Sequence, residues 1–332
     1  MRNPHLQTLW PVFFRHRLRP PLRRERLELP DGDFVDLDWT LNDSGPIVII
    51  FHGLEGSSRS HYARGMLTAL PRHGMRAVLM HFRGCSGEPN RLARAYHSGD
   101  TGDIDFLVRT LKAREPNTAL AAIGYSLGGN ALLKWLGEQG RDAPVQCAVA
   151  VSVPFLLHEA TARMNRGLSR AYQWHLLKSL KRGARRKAEK FSPPAPTAMD
   201  GGSAEREAVP TGTNAGAVFP PLEEINQMRG FFEFDDRVTA RLHGFAGAMH
   251  YYTSSSSRQY LNRIRIPTLI VHASDDPFMH AQVIPEANEL SPTIEFDLHR
   301  HGGHVGFVGG HLPWRPRYWL DERIPNWLQK RM

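Results

Sequence analysis

Short apolar runs alternate with helical patterns along the first half of the chain. The runs are continuous and bounded by turn residues, as expected of strands buried on both faces of a sheet; they span 46–53, 75–82, 118–124 and 145–153. Helical patterns lie between them at about 58–72 and 98–113 and directly after Ser126. This alternation predicts an α/β fold with a mostly parallel, doubly wound sheet.

Two further patterns extend this sheet. The segment RRERLELPDGDFVDLDWT has two alternating runs around Asp31 and Gly32, which predicts a β-hairpin. Near the other end of the chain, residues 267–276 and 294–304 predict two more strands with a helix between them. A final helix is predicted near 320–331.

The alternation of strands and helices is interrupted between residues 155 and 265, where no buried strand is predicted. Helical patterns dominate there, so we expect one domain over 1–332 with a helical cap inserted at 155–265. Within the cap, residues 192–221 are rich in Pro, Gly, Ala, Ser and Thr. Such a segment buries too little apolar surface to offset its ordering entropy, and we expect it to be disordered or a mobile loop.

Composition narrows the class of protein. The chain has 332 residues, of which 41% are hydrophobic and 23% charged, values typical of a soluble globular protein. No apolar run is long enough for a membrane helix, and the N-terminal region lacks the apolar core of a secretion signal. Cys85 and Cys147 are too few for a disulfide framework, so a cytoplasmic location is expected.

The charge is strongly basic, with a formal net charge of +9 and a pI of about 9.8. The excess is concentrated at 15–26 and 178–190. No nucleic-acid-binding motif accompanies it, so no nucleic-acid partner is expected. The second run predicts a helix with three leucines on one side, Leu176, Leu177 and Leu180, and basic residues around the rest, Lys178, Lys181, Arg182, Arg185, Arg186 and Lys187. A solvated face is the simpler interpretation, and peripheral contact with an anionic membrane is the alternative.

Ser126 lies in the segment GYSLG, between a predicted strand and a predicted helix. Serine and glycine both lower helix propensity, so this composition needs a reason. A serine in a strained strand-to-helix turn exposes its hydroxyl above the sheet, and small residues two positions away let strand and helix approach. The pattern therefore predicts a nucleophilic serine, whereas the alternative is a glycine-rich turn with an incidental serine.

A neutral serine needs a base, and the base needs an orienting acid. Asp275 and Asp276 close the run 267–276, and His304 follows Gly302 and Gly303 in a loop that can return over the sheet. We choose Asp276 because an acid at this site commonly follows the residue closing its strand by four positions. Asp275 then faces solvent or caps the loop.

Other histidines compete with His304 in this region, namely His299, His301 and His311. His299 alternates with apolar residues and is expected on a strand. A metal site in HRHGGH is the sharper alternative, but no carboxylate stands at a recognised metal-ligand spacing. No metal and no cofactor are therefore expected.

The chemistry of such a triad also needs donors for a developing oxyanion. The segment FHGLEGSSRS follows a predicted strand, and a His-Gly turn at this place presents backbone N–H groups. We assign the backbone amides of Leu54 and Leu127. The amino end of the helix after Ser126 would reinforce them.

These motifs together resemble the α/β-hydrolase superfamily, and within it the YheT-like branch of predicted esterases, which is similar to the abhydrolase-domain lipases. The resemblance covers nearly the whole chain and rests on these segments: NPHLQTLWP, HGLEGSS, HFRGCSG, YHSGDTGD, GYSLGGN, EFDDRVTARLHGF, HASDDPFM and GGHVGFV. It implies a serine carboxylester hydrolase with the triad Ser126, Asp276 and His304. The stretch 192–221 departs from it as an apparent insertion, and no His-x-x-x-x-Asp acyltransferase motif follows His97, because Gly102 stands at the fifth position.

The sequence thus predicts hydrolysis of small-molecule or lipid carboxylic esters, namely short- to medium-chain acyl esters or lipids, through an acyl-enzyme. Thioesterase, amidase or acyltransferase chemistry with the same triad is an alternative. A hydrolase-fold protein that binds lipid without catalysis is another, although the intact Ser, acid and His argue against it.

Overall fold

Eight strands form the central sheet in the computed structural model, which describes residues 2–15, 18–191, 219–310 and 316–332. They are β1 (Leu22–Glu28), β2 (Phe34–Thr40), β3 (Ile47–Phe51), β4 (Arg76–Met80), β5 (Leu120–Tyr125), β6 (Cys147–Val151), β7 (Thr268–Ala273) and β8 (Ile294–His299). Their order across the sheet is β1-β2-β4-β3-β5-β6-β7-β8. The pairs β1–β2 and β2–β4 are antiparallel, and the others are parallel.

Eleven helices accompany the sheet among the described residues. They are α1 (Pro4–Phe14), α2 (His61–Arg72), α3 (Gly102–Arg114), α4 (Leu127–Gln139), α5 (Leu157–Met164), α6 (Ser169–Phe191), α7 (Leu222–Gln227), α8 (Phe231–Phe234), α9 (Ala240–Leu242), α10 (Ala248–Ser255) and α11 (Leu320–Gln329). A π-helical segment, Asp235–Thr239, joins α8 to α9. The helices α5 to α10, called here the inserted helices, lie in sequence between β6 and β7.

The alternation of side chains along each strand divides the core into two layers. On β3, Ile47, Ile49 and Phe51 pack with α3 and α4, whereas Val48 and Ile50 pack with α2 and α11. All five side chains are buried, as a parallel strand covered on both faces requires. The predicted α/β class with a mostly parallel, doubly wound sheet is confirmed.

Most predicted elements of the sheet are found within a few residues of their expected bounds. The predicted hairpin is β1–β2, with Glu28 opposite Phe34. The prediction of a helix between the last two strands is wrong, because only two 3₁₀ turns form there, Ala281–Val283 and Ala287–Glu289. Prolines at 277, 285 and 292 remove amide donors from this connection, which explains the absence of a regular helix.

The predicted mobile stretch 192–221 lies outside the described residues up to position 218. At its end, Phe219 is buried in an apolar cluster with Leu177, Ile225 and Phe234 of the inserted helices. This large apolar side chain therefore packs into a core, contrary to the expectation for the stretch as a whole.

The helix α1 was not predicted. Asn3 caps it by accepting a hydrogen bond from the amide of Leu6 at 3.0 Å, and Pro4 occupies the first helical position. An Asn-Pro pair of this kind is a recognised helix start, so the signal was present in the sequence.

None of the helices in the described part of the chain combines the length and the apolar character needed to span a membrane.

Candidate active site

Ser126 occupies a sharp turn between β5 and α4. Its φ is +51°, a left-handed conformation that is strained for a residue with a side chain. Its amide donates to the carbonyl of Val151 on the neighbouring strand at 2.8 Å, and its carbonyl accepts from Asn130 at 3.0 Å. These two hydrogen bonds hold the strained turn at the carboxyl edge of the sheet.

The glycines around Ser126 are required by close backbone contacts. A Cβ on Gly128 would lie 2.5 Å from the carbonyl oxygens of both Phe51 and His52, and one on Gly124 would lie 2.5 Å from the carbonyl oxygen of Gly128. Such distances are shorter than any carbon–oxygen contact in a folded protein. The G-x-S-x-G spacing is therefore explained by the packing of α4 against β3 and β5.

His304 lies between Ser126 and Asp276. Its Nε2 is 3.0 Å from Oγ of Ser126, and its Nδ1 is 2.8 Å from Oδ2 of Asp276. The other carboxylate oxygen of Asp276 accepts from the amide of Phe278 at 2.8 Å. The ring of Phe278 stacks on the imidazole with centroids 3.9 Å apart, so the imidazole is held on its face as well as through Nδ1.

Asp275 has a different role from its neighbour. Its Oδ1 accepts hydrogen bonds from the amides of Gly302 and Gly303, each at 2.9 Å, and its Oδ2 lies 3.1 Å from Nδ1 of His301. Asp275 therefore caps the loop that leads to His304, one of the two alternatives that the sequence left open.

Two other histidines of this region, His299 and His301, have different surroundings. His299 ends β8, as predicted. His301 contacts Asp275 as described above, and His311 lies outside the described residues.

The loop that carries His304 is supported by distant parts of the chain. The amide of His304 donates to Oγ1 of Thr8 at 2.9 Å, and the amide of Val305 donates to Oγ of Ser152 at 3.0 Å. The side chain of Gln7 pairs with both backbone groups of Val308, at 2.6 Å and 3.1 Å. Sequence reasoning missed Gln7, Thr8 and Ser152, because contacts across such sequence separations leave no local pattern.

The turns that contain Leu54 and Leu127 both adjoin Ser126. Leu127 is the first residue of α4, so its amide has no acceptor within the helix. Leu54 follows Gly53, and a Cβ on that glycine would lie 3.3 Å from the Cβ of Ser126. The amide of Gly53 itself donates to the hydroxyl of Tyr62 at 2.8 Å, which anchors the turn.

Two histidines near this turn, His52 and His61, are neutral. Burial lowers the pKa of His52 to about 3. Its Nε2 accepts from the amide of Phe82 at 3.1 Å, so Nδ1 carries the proton and donates to the carbonyl of Gly53 at 2.7 Å. His52 thus connects the end of β3 to the end of β4. Burial also lowers the pKa of His61 to about 3, with Arg15 and His304 acting in the same direction.

A cavity of about 920 Å³ opens above Ser126 and extends beneath the inserted helices. Ser126, His304, Leu54 and Leu127 line its floor. Most of its walls are apolar, with side chains from α5, α6, α8 and the π-helical segment, such as Leu157, Leu176, Leu180, Phe234 and Val238. Its size and character suit a ligand with a long apolar portion.

Within the described ranges, no group of three or more His, Cys, Asp or Glu side chains is arranged to hold a metal ion.

Residues 46–310 match the family described as the alpha/beta hydrolase fold. The chain belongs to this family. It is 46% identical to YheT of Escherichia coli (strain K12), over 98% of this chain and 90% of that protein. It is 26% identical to Phospholipase ABHD3 of Mus musculus, over 97% of this chain and 75% of that protein. It is 27% identical to Monoacylglycerol lipase of Saccharomyces cerevisiae (strain ATCC 204508 / S288c), over 92% of this chain and 63% of that protein.

A solved structure supports the fold independently. The esterase Pf2001 of Pyrococcus furiosus superposes with a TM-score of 0.55 at 15% identity, covering 94% of this chain and 93% of that one. The predicted resemblance to the α/β-hydrolase superfamily and its YheT-like branch is therefore confirmed. The prediction of an ester-hydrolysing enzyme is confirmed at the level of the family and its relatives.

Proposed function

We propose that the protein is a serine hydrolase that cleaves carboxylic esters through an acyl-enzyme. Ser126 is the nucleophile, His304 the general base and then acid, and Asp276 the group that orients the imidazole. One observation carries this proposal: a continuous hydrogen-bonded chain from Oγ of Ser126 through His304 to Asp276 at the floor of an apolar cavity.

The geometry supports each proton transfer. Asp276 accepts a hydrogen bond from Nδ1–H of His304, and this tautomer directs the lone pair of Nε2 at the hydroxyl of Ser126. Nε2 takes the proton of the Ser126 hydroxyl while Oγ attacks the ester carbonyl carbon, and it then delivers that proton to the departing alcohol oxygen. Water repeats these steps on the acyl-enzyme and releases the acid.

The backbone amides of Leu54 and Leu127 are proposed to bind the oxyanion of the tetrahedral intermediate. Both turns adjoin Ser126, and the amide of Leu127 begins α4, where the helix dipole favours negative charge. Each such donor typically contributes about 3–4 kcal/mol to transition-state stabilisation.

We infer that the substrate is an ester with a medium or long acyl chain, including lipid esters. The cavity of about 920 Å³ is at the upper end of the range for small-molecule sites and is mostly apolar. The names phospholipase and monoacylglycerol lipase of two relatives agree with this substrate class. Peripheral contact with an anionic lipid surface is part of the proposal.

We also infer that residues 1–332 form one domain in which 155–265 is a cap over the site. The inserted helices support this, because they supply much of the wall of the cavity. Cys85 and Cys147 are both free thiols, which suits the reducing cytoplasm that we propose as the location.

Turnover of p-nitrophenyl esters of increasing acyl length, together with labelling by a fluorophosphonate, tests the proposal. Ser126→Ala should abolish both hydrolysis and labelling while its far-ultraviolet circular dichroism stays unchanged. Ser254→Ala, on α10, is the matched control and should retain both. Labelling that persists in Ser126→Ala would overturn the assignment of the nucleophile.

The alternatives are distinguished in the same assay. An acyltransferase would pass the acyl group to an added alcohol in preference to water. A thioesterase would prefer the thioester of the same acyl chain. A non-catalytic lipid-binding protein would show neither hydrolysis nor labelling in its unmodified form.

A further inference from the structure

Exposed apolar side chains are concentrated in one part of the surface. Six of the eleven exposed large hydrophobic side chains among the described residues come from α1, from the residue just before α6 and from the beginning of α6, and each has half or more of its surface exposed; they are Leu6, Val12, Phe13, Phe14, Leu168 and Trp174. Scattered exposed leucines need no explanation, but a concentration of this kind marks an interaction surface. We call these six residues the apolar rim.

Three residues of the apolar rim lie at the mouth of the cavity. Val12, Phe13 and Leu168 are exposed and also line the cavity, so they mark the place where it opens to solvent. His5 and Tyr172 join the two helices there, since Nδ1 of His5 lies 3.0 Å from the hydroxyl of Tyr172 and their rings stack. The two helices thus border one opening.

The charged side chains that α6 itself contributes beside the apolar rim are basic. Residues 1–24 and 160–188 contain no Asp or Glu. Arg170, Lys178 and Arg182 are exposed on α6, and Nζ of Lys178 lies 5.4 Å from the centre of the Trp174 ring. An apolar surface bordered by basic groups is complementary to anionic headgroups above an acyl layer.

The structure changes which basic residues of α6 contribute to this charge. Lys187, expected from the sequence on the solvated face, is buried and donates to the carbonyl oxygens of Leu92, Ala93 and Arg94. Lys181 donates to the carbonyl of Met228 at 3.0 Å and to that of Asn226 at 2.6 Å. Both lysines therefore tie α6 to neighbouring segments and do not contribute to the exposed surface at the mouth.

We propose that the apolar rim docks on an anionic lipid surface, with Arg170 and Lys178 at the headgroups and Leu6, Phe14 and Trp174 among the acyl chains. In this orientation the cavity opens directly into the lipid layer. An ester-bearing chain then moves from the layer to Ser126 without crossing water. The movement of an ester substrate to Ser126 rests on the proposed function, whereas the docking itself needs no catalysis.

Co-sedimentation with vesicles tests the docking separately from catalysis when it is measured on the Ser126→Ala variant. The full chain should bind vesicles of equimolar phosphatidylglycerol and phosphatidylcholine, release them as salt is added, and fail to bind phosphatidylcholine alone. Adding Leu6→Ser, Phe14→Ser and Trp174→Ser together should weaken binding at least tenfold. These three residues do not line the cavity.

Matched controls use exposed residues at the opposite edge of the sheet. Leu41 is exposed and follows β2 beside the amino end of β4, so Leu41→Ser should bind as the parent does. Arg170→Glu with Lys178→Glu should abolish binding, whereas Arg141→Glu with Arg265→Glu makes the same change in net charge and should leave it intact. If the triple variant does not fold, Trp174→Ser alone supplies the comparison.

Activity separates the two proposals. With Ser126 restored, the triple variant should hydrolyse a short soluble ester at the parental rate and a long-chain ester embedded in vesicles at least tenfold more slowly. Vesicle binding without hydrolysis of either ester would leave the docking standing and overturn the proposed function. Vesicle binding by the triple variant at the parental level would overturn the docking. The docking would also be overturned if no variant bound vesicles and the parent self-associated through a contact that the triple variant abolishes.

Discussion

The hydroxyl of Tyr96 contacts Glu55 twice, accepting a hydrogen bond from its backbone amide and donating one to its carboxylate, each at 2.8 Å. Glu55 directly follows Leu54, and its φ of +54° is strained for a side-chain-bearing residue. Its other carboxylate oxygen accepts from Oγ of Ser179 on α6 at 2.6 Å. Tyr96 therefore holds in place the turn whose Leu54 amide is proposed to bind the oxyanion.

Tyr96→Phe should lower kcat by about 10- to 100-fold with little change in KM, because a misplaced donor weakens transition-state binding most. Steady-state kinetics on a soluble ester measures both constants. Tyr260→Phe, whose hydroxyl makes only a 3.4 Å contact with the carbonyl of Ser254, is the control and should leave kcat unchanged. A rise in KM at constant kcat would place Tyr96 in substrate binding instead.

The two adjacent aspartates should respond differently to substitution. Asp276→Asn should lower kcat by roughly four orders of magnitude, because the amide favours the wrong imidazole tautomer. Asp275→Asn keeps a carbonyl oxygen for the amides of Gly302 and Gly303 and should cost much less. Asp275→Ala removes that acceptor and should lower the free energy of unfolding by about 1–3 kcal/mol.

Single-turnover kinetics and urea denaturation of the three aspartate variants provide the measurement. A larger loss of kcat in Asp275→Asn than in Asp276→Asn would contradict the proposed assignment of the acid.

Two glycine substitutions should distinguish the effect of close packing on the free energy of unfolding from the effect of backbone flexibility. Gly128→Ala should lower the free energy of unfolding by about 3 kcal/mol or more, because the new methyl group meets two carbonyl oxygens at 2.5 Å. Gly183→Ala, on α6 with no neighbouring atom within 4 Å, should raise it by about 0.5–1 kcal/mol. Denaturant midpoints compare the two directly, and equal destabilisation by both would refute the steric argument.

Stability should fall with acid because burial keeps His272 neutral in the folded state. Burial lowers the pKa of His272 to about 4, against the opposing attraction of Asp276, whereas an unfolded histidine titrates near 6.5. Between these values the unfolded chain binds the extra proton, so the free energy of unfolding decreases as the pH falls from about 6.5 to about 4. One such group contributes a slope of up to about 1.4 kcal/mol per pH unit.

His272→Gln should therefore flatten the dependence of unfolding free energy on pH within this window, whatever its effect at neutral pH. His158→Gln, at an exposed position, is the matched control for the loss of one histidine. Urea denaturation at several pH values measures the slopes. An unchanged slope in His272→Gln would show that His272 does not titrate differently in the two states.

Local patterns in the sequence were sufficient to predict the strands of the sheet and the position of Ser126 in a turn between a strand and a helix. Strand burial, helix periodicity and the steric demands of a strand-to-helix turn involve residues close along the chain, so composition and spacing reveal them. The need for Gly124 follows from this turn, because its nearest neighbour is the carbonyl of Gly128, whereas the need for Gly128 comes from the carbonyl oxygens of Phe51 and His52 at the end of β3.

Only the tertiary structure decided which groups meet across long separations. Asp275 and Asp276 are chemically identical neighbours, and the turn after β7 gives one the amides of the glycine loop and the other the imidazole of His304. Thr8 reaches the amide of His304 because α1 packs beside the same loop. Lys187 resembles its basic neighbours in sequence, yet three carbonyl oxygens bury its ammonium group. Such contacts depend on three-dimensional packing, which no periodicity along the chain encodes.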